Sequence, residues 1–306
     1  MSKVLVTGGA GFIGAHLVAR LVDEGDEVVV FDNLRRGRTE RIERILQRGG
    51  GRIVVGDVRR FDALAEVMRD CETVFHLAAQ SNVMGAVTDP DYSVTTNVLG
   101  TFNVLRAAAE ASVPRVVFAS SREVYGDPRH LPVSEGQPLL AKNAYGASKV
   151  AGEAYCRAMA RDGLRVEVVR LANVYGPGDS DRVIPLWLAA AQQARDLVVY
   201  GGEQVIDFLW VGKAVDALLF AARHGLPGPV NIGCGVGTRI LDLADRVLRA
   251  TRANSKVSRA PQREVEVAKL VADVSQMRSL GLAPDADPLG HLEEIVPFYA
   301  TGGGES

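Results

Sequence analysis

The stretch KVLVTGGAGFIGAHLVARLVDEGDEVVVFD, residues 3–32, contains two short apolar runs separated by a glycine-rich turn and a longer helical pattern. The runs KVLVTG (3–8) and EVVVFD (27–32) are rich in valine and show no polar alternation, which is typical of strands buried on both faces. Residues 12–25 separate them, and apolar side chains recur there at the spacing of a helix. A strand, a helix and a second strand in this order predict a βαβ unit with parallel strands.

The alternation of short apolar runs with longer helical patterns continues through the first two thirds of the chain. Further strand-like runs are RIVVGD (52–57), TVFHLAA (73–79), RVVFASS (115–121) and RVEVVRLAN (165–173). This order predicts the α/β class, a doubly wound parallel-sheet Rossmann fold with helices on both faces of the sheet. After Pro177 the alternation is lost, and PVNIGCG (229–235) is typical of a strand that returns to the sheet.

The change of pattern predicts a division of the chain into a Rossmann domain and a smaller, discontinuous C-terminal lobe. We assign residues 1–173 to the Rossmann domain, with return segments near 207–233. Residues 174–206 and 234–300 then form the smaller lobe, and TGGGES, residues 301–306, is predicted to be a disordered tail.

The composition is that of a soluble globular protein, with 306 residues, 47% hydrophobic residues, 24% charged residues and a formal net charge of −2. No concentrated basic stretch points to a nucleic acid or an anionic membrane as partner. No apolar run is long enough to span a bilayer, and the chain starts at once with a strand-like run, so we expect a cytoplasmic protein. Cys71, Cys156 and Cys234 are odd in number and far apart, which argues for a reducing compartment. Five scattered histidines show no ligand spacing, so no metal is expected.

TGGAGFIG (7–14) joins the first predicted strand to the first predicted helix, and its glycines Gly8, Gly11 and Gly14 follow a GxxGxxG spacing. Glycines allow a tight turn and a close approach of the backbone to a pyrophosphate, which lies at the positive end of the helix dipole. Asp32 ends the second strand, where its carboxylate can accept hydrogen bonds from a ribose diol. Together these residues predict a dinucleotide site, and turn formation alone is the alternative.

The charge of Asp32 indicates which dinucleotide is bound. A carboxylate at this position repels a 2′-phosphate, so NAD is predicted as the cofactor rather than NADP. Arg35 and Arg36 keep NADP open as the alternative. Asp57 and the run Leu77–Ala79, which end the third and fourth strands, could contact the cofactor, or they could be ordinary turn and small residues at strand ends.

The segment YGASK (145–149) places Tyr145 and Lys149 four residues apart at the start of a predicted helix, hence on one face. A nearby ammonium and an oxidised nicotinamide would favour the phenolate form of the tyrosine. The phenolate could then remove a hydroxyl proton while hydride leaves the same carbon. A tyrosine and a lysine at this spacing are common on helices. The catalytic interpretation is favoured here because the pair follows a predicted dinucleotide site and a strand that ends in serines.

The segments TGGAGFIG, FDN, GDV, HLAAQ, NVLGT, SSREVYG, YGASK, NVYGPG, YGGEQVIDF and NIGCG occur in this order over nearly the whole chain. The set resembles the extended short-chain dehydrogenase/reductase family, in particular its NAD-dependent nucleotide-sugar epimerase/dehydratase branch, which is UDP-glucose 4-epimerase-like. The resemblance implies an NAD that stays bound and is regenerated in each turnover, and a C-terminal lobe that binds a nucleotide-sugar substrate, expected to be UDP-linked. It also implies a homodimer through the two longest helical stretches, residues 89–112 and 144–163.

The resemblance implies roles for individual residues as well. Ser121, Tyr145 and Lys149 match the catalytic triad, and Asn97 matches a residue that orders it. The implied cofactor-binding residues are Gly8, Gly11, Phe12, Ile13, Gly14, Asp32, Asn33, Asp57, Val58, Leu77, Ala78, Ala79, Asn97, Tyr145 and Lys149.

The implied substrate-binding residues include Asn173 in NVYGP, at the sugar diphosphate, and Arg263 in PQREVE, which resembles an arginine that grips a phosphate. The chain departs from the family pattern at Ile206, because members often have an arginine before the Asp-Phe pair that follows. The diphosphate is therefore expected to rely on Arg263, aided by Arg182. Leu171 stands where members often have tyrosine.

Arg122 and Glu123 occupy the two positions that separate the reaction types of the family. These positions are typically small or uncharged in 4-epimerases, resemble Asp-Glu in hexose 4,6-dehydratases and resemble Ser-Glu in glucuronate decarboxylases. Glu123 thus favours a catalytic base that abstracts the C5 proton, whereas Arg122 stays protonated and cannot act as the dehydratase acid. The guanidinium could bind a substrate carboxylate. In the alternative, Arg122 faces solvent or Asp127, and Glu123 bonds to backbone at the strand end.

These features leave several hypotheses open. The first is an NAD-dependent 4-epimerase, an isomerase acting on a UDP-hexose of the UDP-glucose/UDP-galactose type. The second is a nucleotide-sugar dehydratase or UDP-glucuronate decarboxylase, a lyase that uses Glu123 as the C5 base. The remaining options are a 3,5-type epimerase, a reductase, or a protein that binds NAD without catalysis, which the complete triad disfavours.

Overall fold

The computed structural model describes residues 2–161 and 163–300. These residues form two compact units, each with its own hydrophobic core. The first unit consists of the chain up to Gly126, Pro138–Arg170 and Ala214–Val230. The second unit consists of Asp127–Gln137, Leu171–Lys213 and the chain from Asn231 onward.

The bounds of these units differ from the division predicted from the sequence. The chain passes from the first unit to the second at Leu171 instead of at residue 174. The second unit also contains Asp127–Gln137, a segment that the sequence assigned to the Rossmann domain. The chain re-enters the first unit at Ala214 instead of near residue 207. The predicted tail, residues 301–306, lies outside the described residues. Which unit binds which ligand stays a prediction.

Strands and helices alternate through the first two thirds of the chain. The strands are β1 (Lys3–Thr7), β2 (Glu27–Asp32), β3 (Gly51–Val55), β4 (Thr73–His76), β5 (Arg115–Ser121), β6 (Arg165–Leu171), β7 (Asn173–Tyr175), β8 (Leu197–Tyr200), β9 (Val205–Trp210), β10 (Val230–Ile232), β11 (Gly237–Arg239), β12 (Val257–Ala260) and β13 (Lys269–Leu270). The α-helices are α1 (Phe12–Asp23), α2 (Thr39–Gly49), α3 (Phe61–Val67), α4 (Val83–Thr88), α5 (Pro90–Val94), α6 (Gly100–Glu110), α7 (Ala144–Met159), α8 (Val183–Gln192), α9 (Val211–His224), α10 (Ile240–Thr251), α11 (Ser275–Ser279) and α12 (Leu292–Ile295). A π-helical turn spans Thr95–Leu99, and 3₁₀ turns span Arg122–Tyr125 and Val296–Tyr299. Within the described residues, no helix combines the length and the apolar character that crossing a bilayer requires.

The largest sheet formed by the described residues has seven strands in the order β10-β6-β5-β4-β1-β2-β3. β1 pairs in parallel with β2 and β4, and the pairs β2–β3 and β4–β5 are parallel as well. The order from β3 to β6 is that of a doubly wound Rossmann sheet, which confirms the predicted fold class. Residues 28–31 of β2 are fully buried, as expected for a strand covered on both faces.

The neighbouring strands β1 and β4 are the topological switch point of this sheet. The chain continues from β1 to β2 on one side and from β4 to β5 on the other. In sheets of this kind ligands bind in the crevice at the carboxyl ends of two such strands. The glycine-rich turn follows β1 and Leu77–Ala79 follow β4, so the fold brings two predicted cofactor segments to the same edge of the sheet.

The second unit is organised around β9, which pairs with β11, β13 and β7, while β8 and β12 form a separate parallel pair. Its core contains Tyr175, Trp187, Leu188, Phe208 and Leu243. The segment Asp127–Gln137 joins this unit through Val133, whose N–H donates to the carbonyl of Val271 and whose carbonyl accepts from the N–H of Asp273, both at 2.8 Å. Because these partners lie far away in the chain, no local pattern predicts the attachment.

Candidate active site

The glycine-rich turn between β1 and α1 is shaped by close backbone contacts that only glycine allows. Gly8 has a φ of +72°, and a Cβ there would lie 2.6 Å from the backbone nitrogen of Ala78. A Cβ on Gly14 would overlap the carbonyl oxygen of Gly8. Gly11 is the N-cap of α1 and has no side chain to cover the start of the helix. The turn therefore forms a backbone cradle at the positive end of α1, and this cradle fits a pyrophosphate.

Asp32 closes β2 directly beside the glycine-rich turn. Its Oδ2 accepts a hydrogen bond from the backbone N–H of Ala10 (3.0 Å), and its Oδ1 accepts one from the backbone N–H of Leu34 (2.8 Å). Burial raises the pKa of this carboxyl group, and the two hydrogen bonds oppose the shift. The carboxyl group is thus fixed at the edge of the turn, in the position expected for a group that receives a ribose diol.

Asn33 and Asp57 follow the ends of β2 and β3 and are joined by a hydrogen bond from Asn33 Nδ2 to Asp57 Oδ2 (3.1 Å). Asn33 Nδ2 also donates to the hydroxyl of Tyr92 (3.0 Å). Arg59 donates to Asp57 through Nε (2.9 Å) and Nη2 (2.7 Å). Burial alone would raise the pKa of Asp57, but the hydrogen bonds from Arg59 and Asn33 outweigh burial and lower it to about 2. Asp57 is therefore a fixed anion.

Arg35 and Arg36, which kept NADP open as a cofactor, are held by contacts within the protein. Arg35 Nη2 pairs with Asp89 (3.0 Å), and its guanidinium lies 3.7 Å from the ring centroid of Tyr92. Arg36 Nη1 donates to the hydroxyl of Ser81 (2.8 Å). These contacts account for the positions of both side chains within the protein, and the prediction of NAD rather than NADP rests on Asp32.

The other predicted cofactor residues lie at the same edge of the sheet. Phe12 and Ile13 are the half-buried first residues of α1. Leu77 and Ala79 follow β4 and are also half-buried, so part of their surface stays accessible. Val58 is 4% exposed and packs closely on Gly100, the first residue of α6. A Cβ added to Gly100 would lie 2.6 Å from Cγ2 of Val58. Val58 therefore packs against the start of α6, and its contact with a cofactor stays a prediction.

Asn97 lies in the π-helical turn Thr95–Leu99, a distortion that is frequent at functional sites. Its Oδ1 accepts a hydrogen bond from the backbone N–H of Gln80 (2.7 Å), and its Nδ2 donates to the hydroxyl of Ser148 (2.8 Å). Ser148 donates in turn to the carbonyl of Tyr145 (2.7 Å). Asn97 thus connects the residues after β4 with the first turn of α7, which is the geometry that its predicted ordering role requires.

His76, at the end of β4, is a buried polar residue that motif spacing did not single out. Its Nδ1 lies 2.8 Å from the hydroxyl of Thr7, and its Nε2 lies 3.0 Å from the hydroxyl of Thr101. Because Thr101 donates its hydroxyl to the carbonyl of Asn97 (2.6 Å), it accepts from Nε2–H, and Nδ1 accepts from Thr7. Burial, reinforced by the charge of Lys149, lowers the pKa of His76 to about 3, so the ring is neutral. The sequence signal that could have identified His76 was a histidine inside an apolar, strand-like run.

Helix α7 carries Tyr145 and Lys149, which are 9% and 3% exposed. The helix begins after Asn143, whose Oδ1 accepts the backbone N–H of Gly146 (2.8 Å). Lys149 Nζ donates to the carbonyl of Ala119 in β5 (2.8 Å). Burial lowers the pKa of Lys149 to about 8, so most molecules carry an ammonium there at pH 7. A phenol and an ammonium therefore share one buried helix face.

Ser121 ends β5 and caps the following 3₁₀ turn, and its hydroxyl accepts the backbone N–H of Glu123 (3.2 Å). Arg122 Nη2 pairs with Glu123 Oε1 (2.8 Å), and the two side chains are 14% and 6% exposed. The alternative in which Arg122 faces solvent is therefore wrong, because the side chain is mostly buried against its neighbour. Glu123 Oε2 accepts a hydrogen bond from Asn143 Nδ2 (2.8 Å), which ties this turn to the start of α7.

Behind helix α7 lies a buried ion pair that was not predicted. Arg170 in β6 donates to Glu153 in α7 through Nε (2.9 Å) and Nη2 (2.7 Å), and through Nη1 to the hydroxyl of Tyr125 (2.8 Å). Ser120 donates to Glu153 Oε1 (2.5 Å). The group fixes α7 to β5, through Ser120, and to β6. An arginine within the apolar run RVEVVRLAN was the sequence signal for it.

The predicted substrate residues Asn173, Arg182 and Arg263 all lie in the second unit. Asn173 begins β7 and is half-buried. Arg182 precedes α8, and its Nη1 pairs with Asp179 (2.8 Å). The guanidinium of Arg263 lies 3.8 Å from the ring centroid of Tyr200, and its Nη1 pairs with a glutamate three residues further on (3.1 Å). The second unit thus provides two arginines whose orientation is fixed by the protein.

Asp207, which follows the exceptional Ile206 in β9, has a structural role in the second unit. It is fully buried and accepts backbone N–H groups from Cys234 (2.8 Å), Gly235 (3.0 Å) and Ala272 (3.1 Å). The carboxylate therefore joins β9 to two neighbouring loops. Over the part of the chain that the structure describes, no group of His, Cys, Asp and Glu side chains is arranged to hold a metal ion.

Comparison with known proteins adds independent information on the whole chain. The model of the NAD dependent epimerase/dehydratase family matches residues 4–233. A putative UDP-glucose 4-epimerase from Methanocaldococcus jannaschii is 34% identical over 301 residues, which cover 96% of this chain and 97% of that protein. The UDP-glucose 4-epimerase from Thermotoga maritima, solved with UDP-glucose, has a TM-score of 0.91 and 30% identity, with 97% of this chain and 98% of that chain covered. DesIV, a dTDP-glucose 4,6-dehydratase from Streptomyces venezuelae solved with NAD, has a TM-score of 0.93 and 30% identity, with 98% and 97% covered.

Proposed function

Since this chain belongs to the NAD-dependent epimerase/dehydratase family, we propose that it is an enzyme that modifies a nucleotide diphosphate sugar through a transient 4-keto intermediate, with NAD as its cofactor. The reaction that we propose is the 4-epimerisation of a UDP-hexose of the UDP-glucose/UDP-galactose type. The proposal rests above all on Tyr145 and Lys149, which share a buried face of α7, and on Ser121 at the end of the adjoining strand.

The first unit contains the residues that would hold NAD. The cradle formed by Gly8, Gly11 and Gly14 would bind the pyrophosphate, and Asp32 would accept the hydroxyls of the adenosine ribose and repel a 2′-phosphate. Asp57 would lie at the edge of the adenine. When NAD is bound, it supplies a hydride acceptor that oxidises the sugar at C4 and then returns the hydride.

Tyr145 would accept and later return the proton that is transferred together with this hydride. As the sugar is oxidised, the phenolate would take the proton of the C4 hydroxyl, and it would give the proton back when the ketone is reduced. The ammonium of Lys149 on the same helix face would stabilise the phenolate. Ser121 would donate a hydrogen bond to the C4 oxygen. Epimerisation requires only that the ketone presents its other face before reduction, so no further acid or base is needed.

The second unit would hold the nucleotide end of the substrate. Arg263 and Arg182 would bind the diphosphate, since a guanidinium offers two parallel donors to phosphate oxygens. Asn173 would add a neutral donor. Because Ile206 replaces the arginine often found there, these two arginines would have to compensate for the missing positive charge.

A second candidate function is dehydration or decarboxylation of a nucleotide sugar. Glu123 lies at the end of β5, and the similarity to DesIV extends over nearly the whole chain. In a dehydration Glu123 would abstract the C5 proton that the ketone acidifies, and the C6 oxygen would leave as water. A decarboxylation breaks the C5–C6 bond instead, and C5 then takes up a proton. In a decarboxylase, Arg122 would bind the substrate carboxylate.

We further propose that the protein is a homodimer located in the cytoplasm. Val94 in α5, Leu99 in the π-helical turn and Tyr155 in α7 are 54%, 45% and 40% exposed, so a second copy could bury apolar surface there. The thiols of all three cysteines are free, as expected in a reducing compartment.

The reaction is tested by incubating the protein with UDP-glucose or UDP-galactose in heavy water and following the products by NMR and mass spectrometry. A 4-epimerase interconverts the two sugars without net NADH and without deuterium at C5. Deuterium at C5 or loss of water would establish the second candidate instead, as would release of C6 as carbon dioxide when UDP-glucuronate is the substrate. Failure to convert any member of a panel of UDP-, GDP- and dTDP-sugars would refute both.

A further inference from the structure

Glu123 is a buried carboxylate that is held from two sides. Its Oε1 pairs with Arg122 (2.8 Å), its Oε2 accepts a hydrogen bond from Asn143 (2.8 Å), and its side chain is 6% exposed. A buried charge is tolerated only where such partners replace the lost water. The carboxylate is therefore part of the framework at the end of β5.

Asn143 connects this carboxylate to helix α7. Its side-chain amide has one accepting end and one donating end. Oδ1 accepts the backbone N–H of Gly146 (2.8 Å) and caps the helix, while Nδ2 donates to Glu123. A flipped amide would point its N–H groups at the N–H of Gly146 and its oxygen at a carboxylate. Glu123 thus selects the amide orientation that caps α7.

The backbone of Glu123 makes a second connection to the same helix turn. A Cβ on Gly146 would overlap the carbonyl oxygen of Glu123, so α7 begins in direct contact with the 3₁₀ turn. The N–H of Glu123 donates to the hydroxyl of Ser121 (3.2 Å). Through side chain and backbone, Glu123 therefore contacts both the end of β5 and the turn that carries Tyr145.

We propose that Glu123 is a positioning residue, which through Asn143 fixes the first turn of α7 and with it the phenol of Tyr145 relative to Ser121, and that it is not the base at C5. Both oxygens of the Glu123 carboxylate are engaged within the protein, Oε1 by Arg122 and Oε2 by Asn143, and the side chain is 6% exposed. A C5 base would have to break one of these contacts to reach the substrate. The role rests on the proposed 4-epimerisation, in which no proton leaves C5.

Two substitutions at Glu123 distinguish positioning from base catalysis. Glu123→Gln keeps one oxygen that can accept from Asn143, loses the acceptor that faces Arg122 and cannot act as a base, so kcat should fall by no more than about tenfold. Glu123→Met removes the acceptor at similar length and should lower kcat about 100-fold with little change in KM, because it misplaces a reacting group. Glu110→Gln removes the carboxylate of an exposed ion pair with Arg106 and is the matched control, with kcat unchanged.

Asn143→Ala completes the test. It should reproduce the loss in kcat, and the double variant Glu123→Met/Asn143→Ala should be no slower than Asn143→Ala alone, because both changes interrupt one contact. Amide hydrogen exchange of residues 145–148 should accelerate in Glu123→Met and Asn143→Ala but not in Glu123→Gln.

The proposal is overturned if Glu123→Gln is as slow as Glu123→Met, or if Asn143→Ala leaves both kcat and exchange unchanged. The exchange measurement needs no substrate. If no nucleotide sugar is converted, the proposed function fails, while exchange alone still decides whether Glu123 holds the start of α7.

Discussion

The ammonium nitrogen of Lys149 lies 2.8 Å from the carbonyl oxygen of Ala119 and is closed off from water. This carbonyl and the ring of Phe118, whose centroid is 4.7 Å away, replace the hydration shell of the cation. The replacement is incomplete, so burial lowers the pKa of Lys149 from 10.5 to about 8. The cation that the proposed reaction uses therefore destabilises the folded protein at neutral pH.

Lys149→Met should raise the free energy of unfolding at pH 7, by at most about 3 kcal/mol, which corresponds to the change in pKa from 10.5 to about 8. Below about pH 8 the lysine is protonated in both the folded and the unfolded natural protein. The full difference in the free energy of unfolding between the natural protein and the variant is therefore present there. Between about pH 8 and 10.5 the folded state has released the proton and the unfolded state still binds it, so the natural protein gains stability and the difference shrinks.

Urea unfolding of the nucleotide-free proteins across this pH range measures the difference. Lys256→Met, at an exposed lysine, is the control and should show no such trend. A Lys149→Met variant that is less stable than the natural protein at every pH would contradict the prediction.

Tyr145→Phe should lower kcat by about 10²- to 10⁴-fold, because it removes the group that transfers the C4 hydroxyl proton. The ring still fills the same buried position, so the variant should fold and retain NAD. Turnover of the sugar and the absorbance of bound nucleotide measure the two properties. Tyr155→Phe, on the exposed side of the same helix, is the control and should keep full turnover. Undiminished turnover in Tyr145→Phe would refute the assignment of Ser121, Tyr145 and Lys149 as a catalytic triad.

The parts of the site that follow from local sequence could be predicted, and the parts that depend on strand neighbours could not. The glycine-rich turn, Asp32 and the Tyr145–Lys149 pair each lie within one βα unit or one helix, where spacing alone determines their relation. The contact of His76 with Thr7 spans 69 residues and requires the parallel register of β1 and β4. The hydrogen bond between Asn143 and Glu123 likewise depends on how α7 packs against the turn after β5.

Gly146→Ala should destabilise the protein although alanine is the better helix former by about 1 kcal/mol. The added Cβ would overlap the carbonyl oxygen of Glu123, so the first turn of α7 would have to move away from β5. Overpacking of this kind costs about 1–3 kcal/mol, and the displacement of Tyr145 should also lower kcat. Gly136→Ala is the control, because its Cβ would meet no atom within 4 Å. Urea unfolding and turnover should be unchanged there, and equal behaviour of the two variants would contradict the predicted contact.

The proposed homodimer predicts a light-scattering mass of twice that of one chain. The double variant Val94→Glu/Leu99→Glu should be monomeric at micromolar concentration, because burying two carboxylates against apolar surface costs more than the contact contributes. Val55→Glu, at an even more exposed apolar position on β3, is the matched control and should remain a dimer. A natural protein that elutes as a monomer would overturn the assignment.

The buried pair of Arg170 and Glu153 predicts strong coupling between two substitutions. Arg170→Met leaves the carboxylate of Glu153 uncompensated, and Glu153→Met does the same to the guanidinium, so each should cost about 3–5 kcal/mol of unfolding free energy. The double variant replaces both charges by apolar side chains and should recover most of this loss. Urea unfolding of the four proteins measures the coupling. Because the pair fixes α7 to β5 and β6, kcat should fall in both single variants and recover in the double variant. Losses that simply add would show that the two side chains act independently.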